Sequence, residues 1–259
     1  RLTTILLTLL LLLAVTAWIQ PTVKATETTT ATKRYALSFD GENDYVEIPY
    51  DASLDPDRLT VECWVKAEVT VTHYAPWFDQ MDTDTPAGYF LREMEDAKGI
   101  SFGVVIGGSW YDLRVATTLT DGWHQVAGTF DESELKAYKD GVFLDSLSAV
   151  GSRDKSTIPF SIGRRGYHAD RYYKGSIALV RVYSRALSAA EIQHNYLNPM
   201  SPVLDGLVLW LKMEEGSGTT VHDYSGYGND GTIYGATWKE ITHTPVRFLT
   251  PVRVLSPVR

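Results

Sequence analysis

An all-β fold, two antiparallel sheets packed as a sandwich with one short helix near the end of its core, is what this 259-residue sequence predicts. Three observations carry the prediction. Short runs of strand-forming residues recur at roughly even spacing, Gly- and Asp-centred turn signals separate them, and 44% of residues are hydrophobic, with 15 Tyr and 7 Trp. Runs spaced in this way are the pattern of a β-sandwich, and a chain of this length can bury a substantial core.

The elements follow in chain order. Strand character begins at Tyr35, and Tyr45 to Ile48 alternates Tyr, Val, Glu and Ile. After the turn-rich Asp51 to Asp57, Leu59 to Lys66 forms a clear strand, placing Val61, Cys63 and Val65 on one face and Glu62, Trp64 and Lys66 on the other. Cys63 is the only cysteine, so no intrachain disulfide can form, and its valine neighbours mark it as a small core residue rather than a reactive thiol. Ala75 to Phe90 carries Trp77, Phe78, Met81, Tyr89 and Phe90 around an Asp/Thr/Pro loop. Gly99 to Ile106 is a strand, and Trp110 to Ala116 pairs back across Gly107-Gly108, because glycine reaches the positive φ that tight hairpins need. Asp121-Gly122 opens the next strand, Leu135 to Leu144 folds at Asp140-Gly141, and Ile177 to Tyr183 is the last core strand. In SRALSAAEIQHNY, Ser188 and Glu191 form a capping box for the helix, and Pro199 and Pro202 stop it.

The ends read differently. Leu2 to Ile19 is apolar apart from threonines, and Val23-Lys24-Ala25 offers a small-residue site, so residues 1–25 read as a secretory signal cleaved after Ala25. The alternative is an uncleaved membrane anchor, since about 18 residues just suffice to span a bilayer. Either places the domain outside the cell, secreted or surface-tethered. Residues 26–34 read as a Thr-rich linker, 35–198 as the sandwich, 199–241 as a trailing strand segment, and 242–259, with its repeated Pro-Val-Arg, as an extended linker.

Three blocks, ALSFDGENDYVEIP (36–49), GWHQVAGTF (122–130) and GSIALVRVYSRALSAAEI (175–192), resemble the laminin-G-like jelly-roll domains of the concanavalin A-like lectin/glucanase superfamily. The resemblance covers roughly 35–197 and implies a jelly-roll topology with a small helix after the last core strand. Leu204 to Trp238 resembles a segment that in most such domains precedes the FDG strand. Its displacement leaves three readings: it completes its own sandwich as a permuted strand, it opens a second repeat, or it self-associates with a neighbouring copy. The first is favoured, because an open sheet edge is adhesive.

Chemistry is judged against that background. Retaining glycosidases of the superfamily place carboxylates as Glu-x-Asp-x-x-Glu on one strand face, a spacing this chain lacks. Glu93-Met94-Glu95-Asp96 lies beside a turn and reads as a solvated hairpin end. Serine-elbow, metal-helix and phosphate-loop motifs are missing, so the chain is expected not to be an enzyme. A formal net charge of −8 without a basic cluster excludes nucleic acid as a partner, and a membrane is met only through the amino-terminal segment if it is uncleaved. Ca²⁺ is the expected cofactor, in a structural role. Asp40 and Asp44 in FDGENDY, with Asp223, Asn229 and Asp230 in DYSGYGND, offer the oxygens it takes, although Ala178 stands where many relatives have Asp. His124 reads as a polar ring pinned near a sheet edge. Sugar recognition needs aromatic platforms bordered by polar groups, which points to Trp77, Trp110 and Tyr111 and to the loop Gly166 to Lys174, with Tyr167, His168, Asp170, Arg171, Tyr172 and Tyr173. The expected function is a non-catalytic extracellular lectin-like module binding carbohydrate or a cell-surface protein. The alternatives are a structural or adhesive subunit of a surface layer or filament, and an accessory domain of a glycoside hydrolase.

Overall fold

The computed structural model of the chain describes residues 34–68, 73–95, 98–166 and 170–241. The export segment, the linker up to residue 33 and the Pro-Val-Arg tail lie outside the described residues. Among the described residues, no helix is long and apolar enough to cross a membrane.

Two eight-stranded antiparallel sheets face each other. The strands run in chain order: β1 (Arg34–Asp40), β2 (Tyr45–Ile48), β3 (Leu59–Ala67), β4 (Ala75–Asp79), β5 (Tyr89–Glu93), β6 (Gly99–Ile106), β7 (Ser109–Ala116) and β8 (His124–Phe130). They continue as β9 (Glu134–Lys139), β10 (Val142–Ser148), β11 (Phe160–Ile162), β12 (Lys174–Tyr183), β13 (Leu207–Leu211), β14 (Thr220–Val221), β15 (Gly231–Tyr234) and β16 (Thr237–Ile241), with helix α1 (Ala189–Leu197) after β12. The first sheet is ordered β10-β9-β8-β3-β12-β1-β16 with β13 also on β12; the second is β14-β15-β2-β11-β4-β5-β6-β7.

Both double-turn hairpins form where the sequence places them. Gly107 and Gly108 sit at φ 57° and 72°, and Asp140 and Gly141 at 52° and 76°, the doubly positive pair that matches strand twist in a two-residue hairpin. Inward-facing residues of both sheets build one core. Val61, Cys63, Val65, Ile177 and Val126 of the first meet Val46, Ile48, Trp77, Phe78, Leu91 and Phe102 of the second.

The outer face of the first sheet is covered. Ser188 accepts the Glu191 N–H, the Ser188 N–H returns to the Glu191 carboxylate at 2.8 Å, and the capped helix lays Ile192 on Tyr183, Leu207 and Trp210. Glu62 and Trp64, on the face opposite the core, are therefore buried as well. Burial forces the Glu62 carboxylate to be satisfied. It accepts from Arg181 Nη1 at 2.5 Å, Gln125 Nε2 at 2.9 Å and Asn195 Nδ2 at 3.1 Å, and Arg181 also donates to the Pro199 carbonyl.

Residues 207–241 are built into this same molecule. β3 runs along one edge of β12, so β1, opposite Lys174 to Ile177, and β13, opposite Val180 to Tyr183, share the other. A bulge between Ala178 and Arg181, with Leu179 at φ 50°, marks the change from one partner to the next. β16 pairs with β1, and β15 with β2. One expectation fails at β5. Glu93 does not end a solvated hairpin; it shares the inward parity of Tyr89 and Leu91, and its side chain is wholly buried.

Candidate functional site

The second sheet has an outer face that the helix does not cover, and strand pairing lines its residues up in a row. Thr232 lies opposite Glu47, Glu47 opposite Ser161, Ser161 opposite Asp79, Asp79 opposite Phe90, Phe90 opposite Gly103, and Gly103 opposite Asp112. At about 4.8 Å per strand the row from Glu47 to Asp112 spans roughly 24 Å.

Aromatic rings and guanidinium groups gather at both ends. At one end Tyr45 and Tyr234 stack with centroids 4.5 Å apart and planes 12° apart. Arg164 lies 3.6 Å over the Tyr45 ring and donates to Glu47 at 2.8 Å. At the other, Arg92 sits 3.8 Å over Phe90 and 4.6 Å over Tyr74, and Trp110 leans on Phe90 at 6.4 Å. Asp112 gathers this end by accepting from Arg92 at 3.1 Å, Ser101 Oγ at 2.6 Å and Arg114 at 2.7 Å. Gly103 is required there, since a Cβ would strike the Phe90 ring. Trp110 and Tyr234 remain 44% and 43% exposed, so each end presents a ring to solvent.

Asp79 occupies the middle of the row. Its Oδ1 accepts the Met81 N–H at 2.9 Å and the Gly166 N–H at 3.1 Å. Burial pushes this carboxyl up to about 6, against the pull of those two N–H groups and of Arg92 and Arg165. Arg165 pairs with Asp170 at 2.7 Å. Rings that can stack on an apolar surface, with paired arginines and carboxylates between them, suit a ligand rich in hydroxyls or amides. A cleft elsewhere, lined by Asp55, Asp57, Arg58, Glu132 and Lys155, offers paired charges but no ring.

The sequence-predicted ligand residues divide. Trp110 lies on this face, and Tyr172, bridged to Arg164, borders it. Asp170 is exposed beside Arg165, and Arg171 is half-buried at φ 61°. Tyr111 has the opposite parity and packs against the core. Trp77 and Tyr173 are core residues meeting edge to face at 6.4 Å, so neither reaches a surface ligand. Tyr167 and His168 lie outside the described residues. Tyr45, Glu47, Asp79, Arg92, Asp112, Arg164 and Tyr234 were not singled out; alternation in their strands marks their common face, but nothing local says that this face stays uncovered.

The five proposed calcium ligands fall into two separate turns. Asp40 Oδ1 accepts the N–H groups of Glu42 and Asn43, and Asp44 Oδ2 accepts the Asp40 N–H at 2.9 Å. Both oxygens of Asp223 are engaged, Oδ1 by the N–H groups of Trp210 and Ser225, Oδ2 by Asn229 N–H and Ser225 Oγ. Asp230 accepts the Asp223 N–H, and Asn229 donates to Ser53 and the Val208 carbonyl. Asp230 immediately precedes β15, while Gly235, just past its other end, abuts Asp44. The turns are thus separated by the length of that strand, about 13 Å, and do not fit a single ion. Among the described residues, no group of three or more His, Cys, Asp or Glu is arranged to hold a metal.

Residues 40–193 match the family model described as the concanavalin A-like lectin/glucanases superfamily. Among solved structures, a candidate carbohydrate binding protein from Bacteroides ovatus is 22% identical with a TM-score of 0.65, covering 84% of this chain and 62% of its own. This chain therefore spans less than two thirds of that protein. A heptameric SAP-like pentraxin from Limulus polyphemus is 14% identical with a TM-score of 0.50, covering 63% of this chain and 82% of its own. Domain 4 of an extracellular arabinanase from Geobacillus stearothermophilus, solved in complex with arabinotriose, is 22% identical with a TM-score of 0.45, covering 61% and 75%. No curated protein matches the chain in sequence.

Proposed function

The chain belongs to the concanavalin A-like lectin/glucanases superfamily, and from that membership and the uncovered face of its second sheet we propose that it is a lectin-like binding module. It works outside the cell, secreted or surface-tethered, and takes carbohydrate or a surface protein across the row from Tyr234 to Trp110. The observation that carries this reading is the pair of exposed rings, one at each end of the row, with arginine–carboxylate pairs between them.

A non-catalytic role is supported by how the carboxylates of this face are used. Glu47 and Asp112 are held by arginines, and Asp79 by two backbone N–H groups. Calcium enters the reading only at the Asp40–Asp44 turn. There burial, and then the charges of Asp40 and Glu42, raise the Asp44 carboxyl, and a cation would offset those charges. An adhesive role draws on a different element from the one first expected. Residues 207–241 are committed to this chain's own sheets, whereas edge strand β10 exposes Val142, Phe143 and Leu147.

The test is a glycan and polysaccharide array probed with and without Ca²⁺, using the native protein, Trp110→Ala and Tyr234→Ala. A stacked ring contributes about 1 kcal/mol, so each variant should bind about fivefold more weakly or worse. Undiminished binding by both variants would move the site elsewhere, and release of reducing sugar would end the non-catalytic reading.

A further inference from the structure

The interior of the sandwich carries polar groups that serve neither the outer face nor any hydrogen bond. Glu93 points inward from β5, wholly buried, and neither of its carboxyl oxygens has a partner. Beside it, Ala75 of β4 lies opposite Glu93, and a bulge between Pro76 and Phe78 turns Trp77 into the same space. Tyr173 enters just before β12. The Trp77 indole N–H and the Tyr173 hydroxyl are fully buried and also without partners.

The three side chains converge. The Trp77 and Tyr173 rings meet edge to face at 6.4 Å. The indole N–H is turned toward the Tyr173 hydroxyl but falls short of a hydrogen bond. After burial itself, the Glu93 charge is the strongest influence on that hydroxyl. Burial alone pushes Glu93 up to about 8, which leaves the carboxyl neutral at pH 7.

Buried polar groups are nearly always satisfied by protein or by ordered water. The donor–acceptor pattern says which guest fits. An indole N–H can only donate, while a hydroxyl and a neutral carboxyl donate and accept. A cation would repel the indole and hydroxyl protons, and an apolar guest would satisfy nothing. Water meets all three demands at once. We propose that the Trp77–Tyr173–Glu93 corner is a built internal site for bound water, which accepts from Trp77 and bridges Tyr173 to Glu93.

Nuclear magnetic resonance on the protein labelled with ¹⁵N-tryptophan tests this directly. The Trp77 indole proton, assigned by its loss in Trp77→Phe, should show a cross-peak to water with opposite signs in the laboratory and rotating frames, as a long-lived water gives. The cross-peak should survive in Tyr173→Phe, which removes relay through an exchanging hydroxyl. Its absence from the native protein, or its disappearance in Tyr173→Phe with the rest of the spectrum intact, would overturn the proposal. Should Tyr173→Phe not fold, a crystal structure of the native protein decides. Density within hydrogen-bond distance of both Glu93 and Trp77 Nε1 supports the site, and direct bonding among the three side chains refutes it.

Discussion

Replacing Arg181 by Met should be among the most damaging single changes to this domain. Arg181 and Glu62 are both fully buried, joined at 2.5 Å on a face roofed by α1. Met keeps much of the volume but removes the positive charge, so Glu62 would retain only the neutral donors Gln125 and Asn195. It would also remove the guanidinium from above Trp64 and Trp210, at 5.1 and 5.5 Å. Breaking a buried pair from one side costs about 3–5 kcal/mol, because the remaining charge stays buried without compensation. At roughly 2–4 °C per kcal/mol for a domain of this size, the melting midpoint should fall by about 10 °C. Urea unfolding followed by tryptophan fluorescence measures the loss at an unchanged slope. The second variant separates charge from packing. Adding Glu62→Gln removes the stranded charge, so the double variant should be more stable than Arg181→Met alone. A single-variant cost below about 1 kcal/mol, or a double variant at least as unstable as the sum of the two singles, would refute the reasoning.

Two further outcomes follow from geometry already given. Asp79 has its carboxyl raised by burial from 3.8 to about 6, so its contribution to stability is full below the unfolded value and is lost as pH rises through about 6. Asp79→Asn does not titrate; measured against the native protein at pH 4 and pH 7, it should gain about 3 kcal/mol in relative stability, from about two pH units at about 1.4 kcal/mol each. A gap independent of pH would refute this. Deleting residues 207–241 strips strands from both sheets, uncovering the edges of β12, β1 and β2, and should give aggregation or a much lower melting midpoint on calorimetry. A deletion variant that is monomeric and equally stable would contradict the pairing.

Much of the fold was legible because its signals are local. Period-two alternation, the doubly positive turns at Gly107-Gly108 and Asp140-Gly141, and the Ser188–Glu191 box each depend on a few adjacent residues. The site was legible only in fragments. Trp77 and Trp110 both lie near turns in the sequence, yet a one-residue bulge turns the first inward while the second stays on the surface. Trp110 and Tyr172 were found, but their companions Tyr45, Asp79, Arg92 and Arg164 come together only through cross-strand register. The turn carboxylates misled in another way. A side chain that can ligate a cation can equally accept backbone N–H groups, and Asp223 spends both its oxygens so.

The pairing of β1 with β16 also has a mechanical consequence. Arg34 stands opposite Ile241, so the chain enters and leaves the domain side by side at one end of an antiparallel pair. A pull applied between those two points acts across the strands rather than along them. The ladder from Arg34–Ile241 to Ser38–Thr237 would open rung by rung, in the manner of a zipper, at a far lower force than shearing all its rungs together. Strung between two anchors, the domain would give way first at this seam. Hung from one anchor by both ends, it would feel no such load.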